Sequence, residues 1–376
     1  MNLNRIIFWE PCLSPHKLDL IFQLKSLMSE VEVIICSDQG LPKEREELGW
    51  SIPQETNIKT IVSPTKEAII SLAQKNIDTT VHIFSGVRGC FNLKIGLNEL
   101  ININGSFGIL SEPRVKEGFL GLLRYVHSYF SEIRVRDKAQ FILAIGKHGP
   151  SWFKSVGYIE KKIFPFAYFI NPPKSSYYDK KLLNPPGKIN ICFIGRLTKE
   201  KGVLDLVGAL RLMPNKVLLT IVGSGKLEKL IISLCNKYNI QINYLGVIPN
   251  SEINSILSNM DILVLPSIST DDGWGVVVSE ALMMGVSVIV SNKVGSSVVF
   301  NEFFFGRVFN SGDYISLRDK IIELYDEGLL LESCRERRMH LARAKLSAKS
   351  GAKYLSHILK HVYSEGEYPQ PYFNKS

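Results

Sequence analysis

The chain has 376 residues, of which 45% are hydrophobic and 22% are charged. This composition is typical of a globular protein and excludes a disordered one, and the length favours two domains over a single core. The 45 lysines and arginines exceed the 36 acidic residues, for a formal net charge of +9. Such an excess favours anionic partners but does not choose between nucleic acid, phosphorylated metabolites and an acidic membrane surface.

The N-terminal apolar run IIFW is too short for a signal peptide, and Glu10 and Pro11 interrupt it. No apolar run in the sequence reaches the length needed to span a bilayer. The six cysteines lack paired spacing, which favours reduced core thiols and argues against a metal site. Together these features predict a cytoplasmic protein.

Short apolar, β-branched runs alternate with segments of helical periodicity along the whole chain, which is the rhythm of βαβ units. In the first half the runs predict buried parallel strands at 5–9, 31–36, 79–84, 107–110 and 141–146. The second half repeats the pattern at 189–195, 217–223, 242–246, 261–266 and 286–291. We therefore predict an α/β protein with two Rossmann-like, doubly wound parallel-sheet domains.

Composition sets the predicted domain limits. Residues 1–170 form the first domain, and a linker rich in Pro, Ser and Lys covers 171–188. Residues 189–350 form the second domain. Residues 351–376 form the end of a helix and a polar tail, which we expect to pack back on the N-terminal domain.

The stretch FIGRLTKEKG, residues 193–202, changes abruptly from a buried strand to a basic turn. Gly195 ends the strand, and Arg196, Lys199 and Lys201 follow where an open α/β sheet most often binds its ligand. We expect an anionic ligand at this turn, and we interpret Lys199 as a solvated surface lysine.

A second candidate site lies in PSISTDDGWGVVVSEALMMG, residues 266–285. Gly273 and Gly275 flank Trp274 before a helix that begins near Val276, so main-chain amides and the helix start can approach a phosphate. Asp272 in the loop and Glu280 in the helix can point into one crevice. Either acid alone is more often a helix cap or a solvated charge, but the pair after a strand end favours a binding site.

These motifs resemble those of the retaining glycosyltransferases of the GT-B fold, family 4. That family typically has a Gly-Arg-Leu turn followed by Lys-Gly, a Gly-x-Gly after the next strand, and two acids eight positions apart around a Gly-aromatic-Gly. Segments 245–249, 294–297 and 306–313 match further family motifs. The resemblance covers most of residues 188–330 and is weaker in the first half.

The resemblance implies two domains facing a central cleft, with the nucleotide-sugar donor in the C-terminal domain and the acceptor in the N-terminal one. It implies a UDP- or GDP-linked sugar, a glycan or lipid-linked acceptor, and neither cofactor nor metal. Many relatives act in bacterial surface polysaccharide synthesis, such as O-antigen, capsule or lipopolysaccharide. The implied chemistry retains the anomeric configuration by front-side attack.

Site roles follow from the same resemblance. Arg196, Lys201 and the helix start near Val276 would stabilise the departing diphosphate, and Glu280 would bind the ribose. Asp272 would face the sugar ring, at a position where the family usually has Glu. The implied donor site comprises Gly195, Arg196, Lys201, Gly223, Gly273, Trp274, Gly275, Val276 and Glu280.

The first half offers weaker candidates on the acceptor side. Glu112 stands where relatives often have a His and is a candidate catalytic contact, although a helix cap or surface acid is an equal alternative. His16, in the loop EPCLSPHK, and His148 are acceptor-side candidates, but a structural loop histidine is the simpler interpretation of each.

Residues 118–138 interleave apolar and basic side chains. We favour an ordinary core helix followed by a solvated basic face, and contact with the anionic inner face of the cytoplasmic membrane stays the alternative. Other functions also stay open: another GT-B enzyme, such as a sugar-nucleotide epimerase or a phosphorylase, or a basic nucleic-acid-binding protein. The last is disfavoured because no continuous basic stripe with interleaved aromatics is apparent.

Overall fold

A computed structural model describes residues 3–52, 57–88, 90–173, 187–364 and 366–373. The chain forms two compact units. The first contains the chain up to Asn171 and from Leu346 onward, and the second contains Pro172–Lys345. The second unit is therefore inserted into the sequence of the first. Most of the predicted linker, 174–186, lies outside the described residues.

Thirteen strands are present in the described residues, and every strand pairing is parallel. They are β1 (Arg5–Glu10), β2 (Glu32–Ser37), β3 (Lys59–Val62), β4 (Thr80–Ser85), β5 (Phe107–Ser111), β6 (Phe141–Ile145), β7 (Ile163–Phe166), β8 (Ile189–Ile194), β9 (Val217–Val222), β10 (Ile242–Gly246), β11 (Ile262–Leu265), β12 (Ser287–Ser291) and β13 (Gly306–Phe309). The first unit has a seven-stranded sheet in the order β3-β2-β1-β4-β5-β6-β7. The second has six strands in the order β10-β9-β8-β11-β12-β13.

Helices connect the strands and cover the sheets, as parallel strands require. They are α1 (Pro15–Leu27), α2 (Lys43–Glu47), α3 (Lys66–Gln74), α4 (Phe91–Ile103), α5 (Gly118–Ser131), α6 (Ile133–Lys138), α7 (Gly149–Ser155), α8 (Val203–Leu210), α9 (Glu228–Lys237), α10 (Ile253–Ser258), α11 (Val276–Met283), α12 (Tyr314–Asp326), α13 (Glu332–Leu346) and α14 (Ala348–Tyr363). None of the helices that the structure describes is long and apolar enough to span a membrane.

All ten predicted strands are present, and three further strands were missed. β3, β7 and β13 each lie at an edge of a sheet. An edge strand is covered incompletely, so its sequence lacks the continuous apolar run of a central parallel strand. β3 is largely exposed, and β7 contains Pro165, a residue that sheets tolerate mainly at edges. The central strands of each sheet were thus predictable, whereas of the four edge strands only β10 was predicted.

The chain returns to the first unit earlier than the predicted boundary after residue 350, which falls inside α14. The return begins with two main-chain hydrogen bonds, from Ile170 N to the Leu346 carbonyl (3.3 Å) and from Ala348 N to the Ile170 carbonyl (3.0 Å). Helix α14 then packs against α1. Farther along, the Tyr372 hydroxyl donates to the Phe166 carbonyl at 3.1 Å. The last helix and the tail are therefore part of the first unit.

The favoured interpretation of residues 118–138 as a core helix is wrong for α5. Only Gly121 and Ser128 of this helix are buried. Its large apolar side chains are exposed, with exposed fractions from 42% to 74%. The helical periodicity was predicted correctly, but the direction of its apolar face was not.

Gly351 provides a test of the packing of α14. A Cβ at this position would lie 2.3 Å from Cγ of buried Phe169. Alanine is a better helix former by about 1 kcal/mol, but overpacking costs roughly 1–3 kcal/mol. We expect Gly351→Ala to lower the free energy of unfolding in urea, and Lys353→Ala, at an exposed position of the same helix, to leave it unchanged or higher. Equal or greater stability for Gly351→Ala would contradict this packing.

Candidate functional site

The predicted donor motifs meet at one edge of the second sheet. Because all six strands are parallel, their carboxyl ends lie at the same edge. β8 lies between β9 and β11, so the chain leaves β8 toward one side and β11 adds on the other. The loops after β8 and β11 therefore flank a topological switch point, where open α/β sheets form their binding crevice.

The loops after β8 and β12 approach the loop after β11 so closely that one position in each allows only glycine. At Gly202, a Cβ would lie 1.9 Å from the Pro266 carbonyl oxygen, and the φ of +66° is itself unfavourable for other residues. At Gly295, a Cβ would lie 1.6 Å from the Gly273 carbonyl oxygen. A main-chain hydrogen bond from Ile268 N to the Glu200 carbonyl (2.9 Å) joins the loops after β8 and β11. Their relative position is therefore fixed by the backbone.

Gly195 and Gly223 bring the ends of β8 and β9 together in the same way. A Cβ on Gly223 would lie 2.1 Å from the Gly195 carbonyl oxygen, and Gly195 N donates to the Val222 carbonyl at 3.0 Å. The predicted glycines thus lie side by side, and their first role is close packing of backbone.

Lys201 and Asp272 form the centre of the site. The Lys201 ammonium pairs with one carboxylate oxygen of Asp272, and the Ser267 hydroxyl donates to the other. Both charged side chains are largely buried, with 13% and 12% exposed. A pair this sheltered needs both partners, because removal of one leaves an uncompensated charge. Two residues predicted to contact different parts of a ligand therefore also hold each other in place.

Arg196 is held much more loosely. Its guanidinium lies 3.6 Å from the Asp271 carboxylate, and the two side chains are 71% and 52% exposed. Exposed pairs of this kind contribute at most about 1 kcal/mol, so the guanidinium can turn toward a ligand at little cost. Lys199 is exposed.

Trp274, one of the predicted donor-binding residues, has a side chain that is turned into the interior of the second unit. Its indole is fully buried and donates from Nε1 to the Ser279 hydroxyl at 2.9 Å. The side chain therefore anchors the loop to α11 and leaves only the main chain of Trp274 for a ligand. The adjacent Gly275, with φ +80°, precedes α11, and among the described residues no side chain caps this helix start.

Glu280 lies one turn into α11 and is the acid most perturbed by its surroundings. Burial raises the pKa of its carboxyl to about 7. Among the described residues, neither Lys201 nor Arg196 forms an ion pair with it. A half-buried carboxyl without such a cation is suited to accept hydrogen bonds from ligand hydroxyls.

A buried arginine fixes the other end of α11. Arg338 is 1% exposed and donates to the carbonyls of Gly285 (2.6 Å) and Leu329 (2.7 Å). The C-terminal carbonyls of a helix lack partners within the helix, so this contact stabilises the end of the segment that carries Glu280. Sequence reasoning missed Arg338, because a charged residue on α13 gives no sign of burial.

The first unit holds the remaining candidates, Glu112, His16 and His148. Glu112 follows β5 and hydrogen bonds with Tyr168, whose pKa is raised well above its usual value by burial and by this carboxylate. His16 packs edge-on against Trp50, with ring centroids 4.7 Å apart, and burial beside Arg45 lowers its pKa to about 4. His148 is half-buried directly before α7. His16 is therefore neutral at pH 7.

A buried ionic cluster at the switch point of the first sheet was missed. Glu10 ends β1 and is only 2% exposed. Its carboxylate accepts from Lys17 Nζ at 2.8 Å and from the Ser85 hydroxyl at 2.7 Å, and β1 pairs with β4, which Ser85 ends. The signal was a charge directly after the apolar run IIFW.

No group of three or more His, Cys, Asp or Glu side chains suited to a metal ion occurs within the described ranges. All six cysteines are free thiols, and Cys36, Cys192 and Cys235 are buried.

Comparison with protein families identifies the segment that carries the site. Residues 176–341 match the family model of glycosyl transferases group 1. The second unit is a glycosyl transferases group 1 domain. The glycosyltransferase domain contains every predicted donor-binding residue.

Curated relatives of this domain are similar over part of their length. The chain is 28% identical over 190 residues to the capsular polysaccharide biosynthesis glycosyltransferase CapM of Staphylococcus aureus, covering 49% of this chain and 47% of CapM. It is also 28% identical over 156 residues to an uncharacterized 41.2 kDa protein in the cps region of Klebsiella pneumoniae, covering 40% and 41%. The chain thus spans about half the length of these curated relatives.

Solved structures extend the likeness to the whole fold. HepE of Anabaena, crystallised with UDP, matches with a TM-score of 0.72 at 13% identity, over 95% of this chain and 100% of HepE. The glycosyltransferase domain and the first unit thus together have the GT-B fold.

Because the pKa of Glu280 is raised, we predict that replacing this residue increases the free energy of unfolding in a pH-dependent way. The unfolded carboxyl ionises near pH 4.5 and the folded one near 7, so ionisation favours the unfolded chain. The loss of folding stability caused by this ionisation is absent below pH 4.5, grows as the pH rises and is complete above pH 7. We expect Glu280→Gln to raise the free energy of unfolding at pH 8 by up to roughly 3 kcal/mol.

The same substitution should give no gain at pH 4. Urea unfolding of the wild type, Glu280→Gln and the exposed-site control Glu336→Gln at both pH values provides the measurement. A gain of equal size at pH 4 and 8 would show that burial of the charge is not its cause.

The ionic cluster around Glu10 predicts that substitutions of Glu10 and Lys17 have strongly non-additive effects on the free energy of unfolding. Lys17→Met leaves the Glu10 carboxylate buried with Ser85 as its remaining partner among the residues that the structure describes, which costs about 3–5 kcal/mol of stability. Combining it with Glu10→Gln removes the stranded charge, so the double variant should be more stable than Lys17→Met alone. Additive losses in a urea-unfolding double-mutant cycle would exclude the ion pair.

Proposed function

We propose that the protein is a retaining glycosyltransferase that moves a sugar from a nucleoside-diphosphate sugar to a hydroxyl group. One observation carries the proposal: Arg196, the Lys201–Asp272 pair, the start of α11 and Glu280 share one edge of the second sheet. This set supplies cations for a diphosphate, a carboxylate for a sugar and a second carboxyl for hydroxyl groups.

The proposed donor is a UDP-linked sugar, with a GDP-linked sugar as the other candidate. Support for UDP comes from HepE, which has been crystallised with UDP and with UDP-glucose. Diphosphate recognition is supported by the exposed, weakly held Arg196 and by the uncapped start of α11, where amides and the helix dipole favour an anion. Arg offers the forked geometry that suits phosphate oxygens.

The reaction breaks the bond between the anomeric carbon and the oxygen of the β-phosphate and forms one between that carbon and the acceptor oxygen on the same face. The acceptor proton passes to the departing phosphate, and the bonding electrons leave with the nucleoside diphosphate. Arg196 and Lys201 stabilise the charge that develops there, so we propose that neither a metal nor a cofactor takes part.

Asp272 would contact the reacting sugar. Its carboxylate is held by Lys201 and Ser267, so its orientation is set before a ligand arrives. A fixed negative charge beside the ring stabilises the positive character of an oxocarbenium-like transition state. Glu280 would accept hydrogen bonds from the ribose.

The proposed acceptor is a glycan or a lipid-linked oligosaccharide of bacterial surface polysaccharide synthesis. The name of CapM, a capsular polysaccharide glycosyltransferase, supports this class. Glu112, His16 and His148 stay candidates for the acceptor side. Such an enzyme would work in the cytoplasm, at the inner face of the membrane.

Nucleotide binding provides the first test. A ligand that binds only the native state raises the melting temperature, so we expect UDP or GDP, and the matching sugar nucleotides, to stabilise the wild type in a thermal-shift panel. Arg196→Ala removes an exposed side chain and should lower the rate of sugar transfer about 100-fold or more while leaving stability unchanged. Lys216→Ala, at an exposed position in the same unit, is the matched control.

Two outcomes would exclude the proposal. One is full donor turnover by Arg196→Ala. The other is a product that forms without any acceptor, as with an epimerase, or that carries a sugar phosphate, as with a phosphorylase. The anomeric configuration of the product, determined by NMR, tests retention.

A further inference from the structure

Helix α5 exposes its large apolar side chains and buries small and polar residues. A surface helix normally presents its apolar side chains to the protein and its polar ones to water. In α5, the residues that face the first unit are Gly121, Tyr125 and Ser128, which recur at helical spacing. The Tyr125 hydroxyl donates to the Ser155 carbonyl at 3.2 Å. The helix is thus attached to the protein through small and polar groups.

An ionic contact completes this attachment. Glu132, directly after α5, is 3% exposed and accepts from the Tyr158 hydroxyl at 3.0 Å. Its carboxylate also lies 3.3 Å from Arg88 and 3.8 Å from Arg114. The orientation of α5 is therefore specified by several contacts.

The outward face of α5 is a continuous apolar stripe. Seven large apolar side chains on this helix are 42% to 74% exposed, and they are Phe119, Leu120, Leu122, Leu123, Val126, Tyr129 and Phe130. Ile133, in the next helix, continues the stripe and is 44% exposed. Single exposed apolar residues are normal, but a contiguous group of this size marks a surface that another apolar phase covers.

Cations surround the stripe. Arg136 lies over the Tyr129 ring at 5.0 Å, and Lys116 lies over the Tyr125 ring at 5.3 Å. Arg124 and Arg134 are exposed on either side. Residues 112–138 contain six Lys and Arg against four Asp and Glu, and one of these acids is the buried Glu132. The accessible charge around the apolar stripe is therefore positive.

We propose that α5 lies in the interface of an anionic lipid bilayer, with its apolar stripe among the acyl chains and the surrounding cations at the phosphate level. An amphipathic helix with aromatic and leucine residues on one side and basic residues beside them suits this location. Each basic residue near such a surface contributes about 1 kcal/mol. The inference deepens the proposed function, because it would bring the enzyme to a lipid-linked acceptor.

A second copy of the chain fits the stripe less well. In a symmetric dimer the same patch meets itself, so the cations around one stripe would face those around the other. An anionic lipid surface neutralises these charges, and another copy concentrates them. Charge complementarity therefore favours lipid.

Vesicle co-sedimentation of the full chain tests the proposal. We expect binding to phosphatidylcholine vesicles that contain phosphatidylglycerol and much weaker binding to phosphatidylcholine alone. Phe119→Ser combined with Phe130→Ser should weaken binding by at least about tenfold for each phenylalanine. Tyr325→Ser combined with Leu331→Ser removes two apolar side chains of similar exposure from the second unit and should have no effect.

A charge-reversal variant provides a second test of lipid binding. Arg124→Glu should weaken binding to the anionic vesicles roughly tenfold or more, and the exposed-site control Lys216→Glu should not. The rise in melting temperature with UDP should persist in the Phe119/Phe130 double variant, which shows that the variant is folded. Absence of a rise with both UDP and GDP in the wild type would refute the proposed donor site and leave the lipid inference standing.

Three outcomes would overturn the proposal. The first is equal vesicle binding by the wild type and the Phe119/Phe130 double variant, and the second is no preference for anionic vesicles. The third is a wild-type dimer in analytical ultracentrifugation that the double variant does not form, with no vesicle binding by either protein. The last result would assign the stripe to a second copy of the chain.

Discussion

The candidate site of the second unit depends on how closely the loops after β8 and β12 approach the loop after β11 at the carboxyl edge of the sheet. Gly202 against the Pro266 carbonyl and Gly295 against the Gly273 carbonyl leave no room for a side chain. The contact of Gly202 with Pro266 joins the loops that carry Lys201 and Asp272, although 71 positions separate these two residues in sequence. The glycines thus act first on geometry, and the charges depend on that geometry.

The acids of the protein fall into two groups according to their partners. Glu10 is buried but has a lysine and a serine as partners, as Asp272 does. Within the described part of the chain Glu280 has no comparable ion pair, and burial raises its pKa to about 7. A protein that keeps such a carboxyl gives up stability at neutral pH, which is typical of a group retained for binding.

The sequence allowed the central strands and the location of the site to be predicted, because buried parallel strands and glycine-flanked turns have strong local signals. Three of the four edge strands were missed, since the burial of an edge strand depends on what lies beside the sheet. The Lys201–Asp272 pair and the Glu10 cluster were also missed, because strand order decides which loops meet. For α5, periodicity revealed an amphipathic helix but could not reveal which face is turned outward, and the burial of Trp274 was hidden for the same reason.

The route of the chain has a consequence for its synthesis. Helix α1 packs against α14, yet the ribosome must translate the entire second unit between them. The nascent first unit therefore emerges with one apolar helix face uncovered, while the inserted unit already has all its own strands. Contacts of such long sequence separation form late and slowly, and this interval exposes the newborn chain to aggregation and to chaperones.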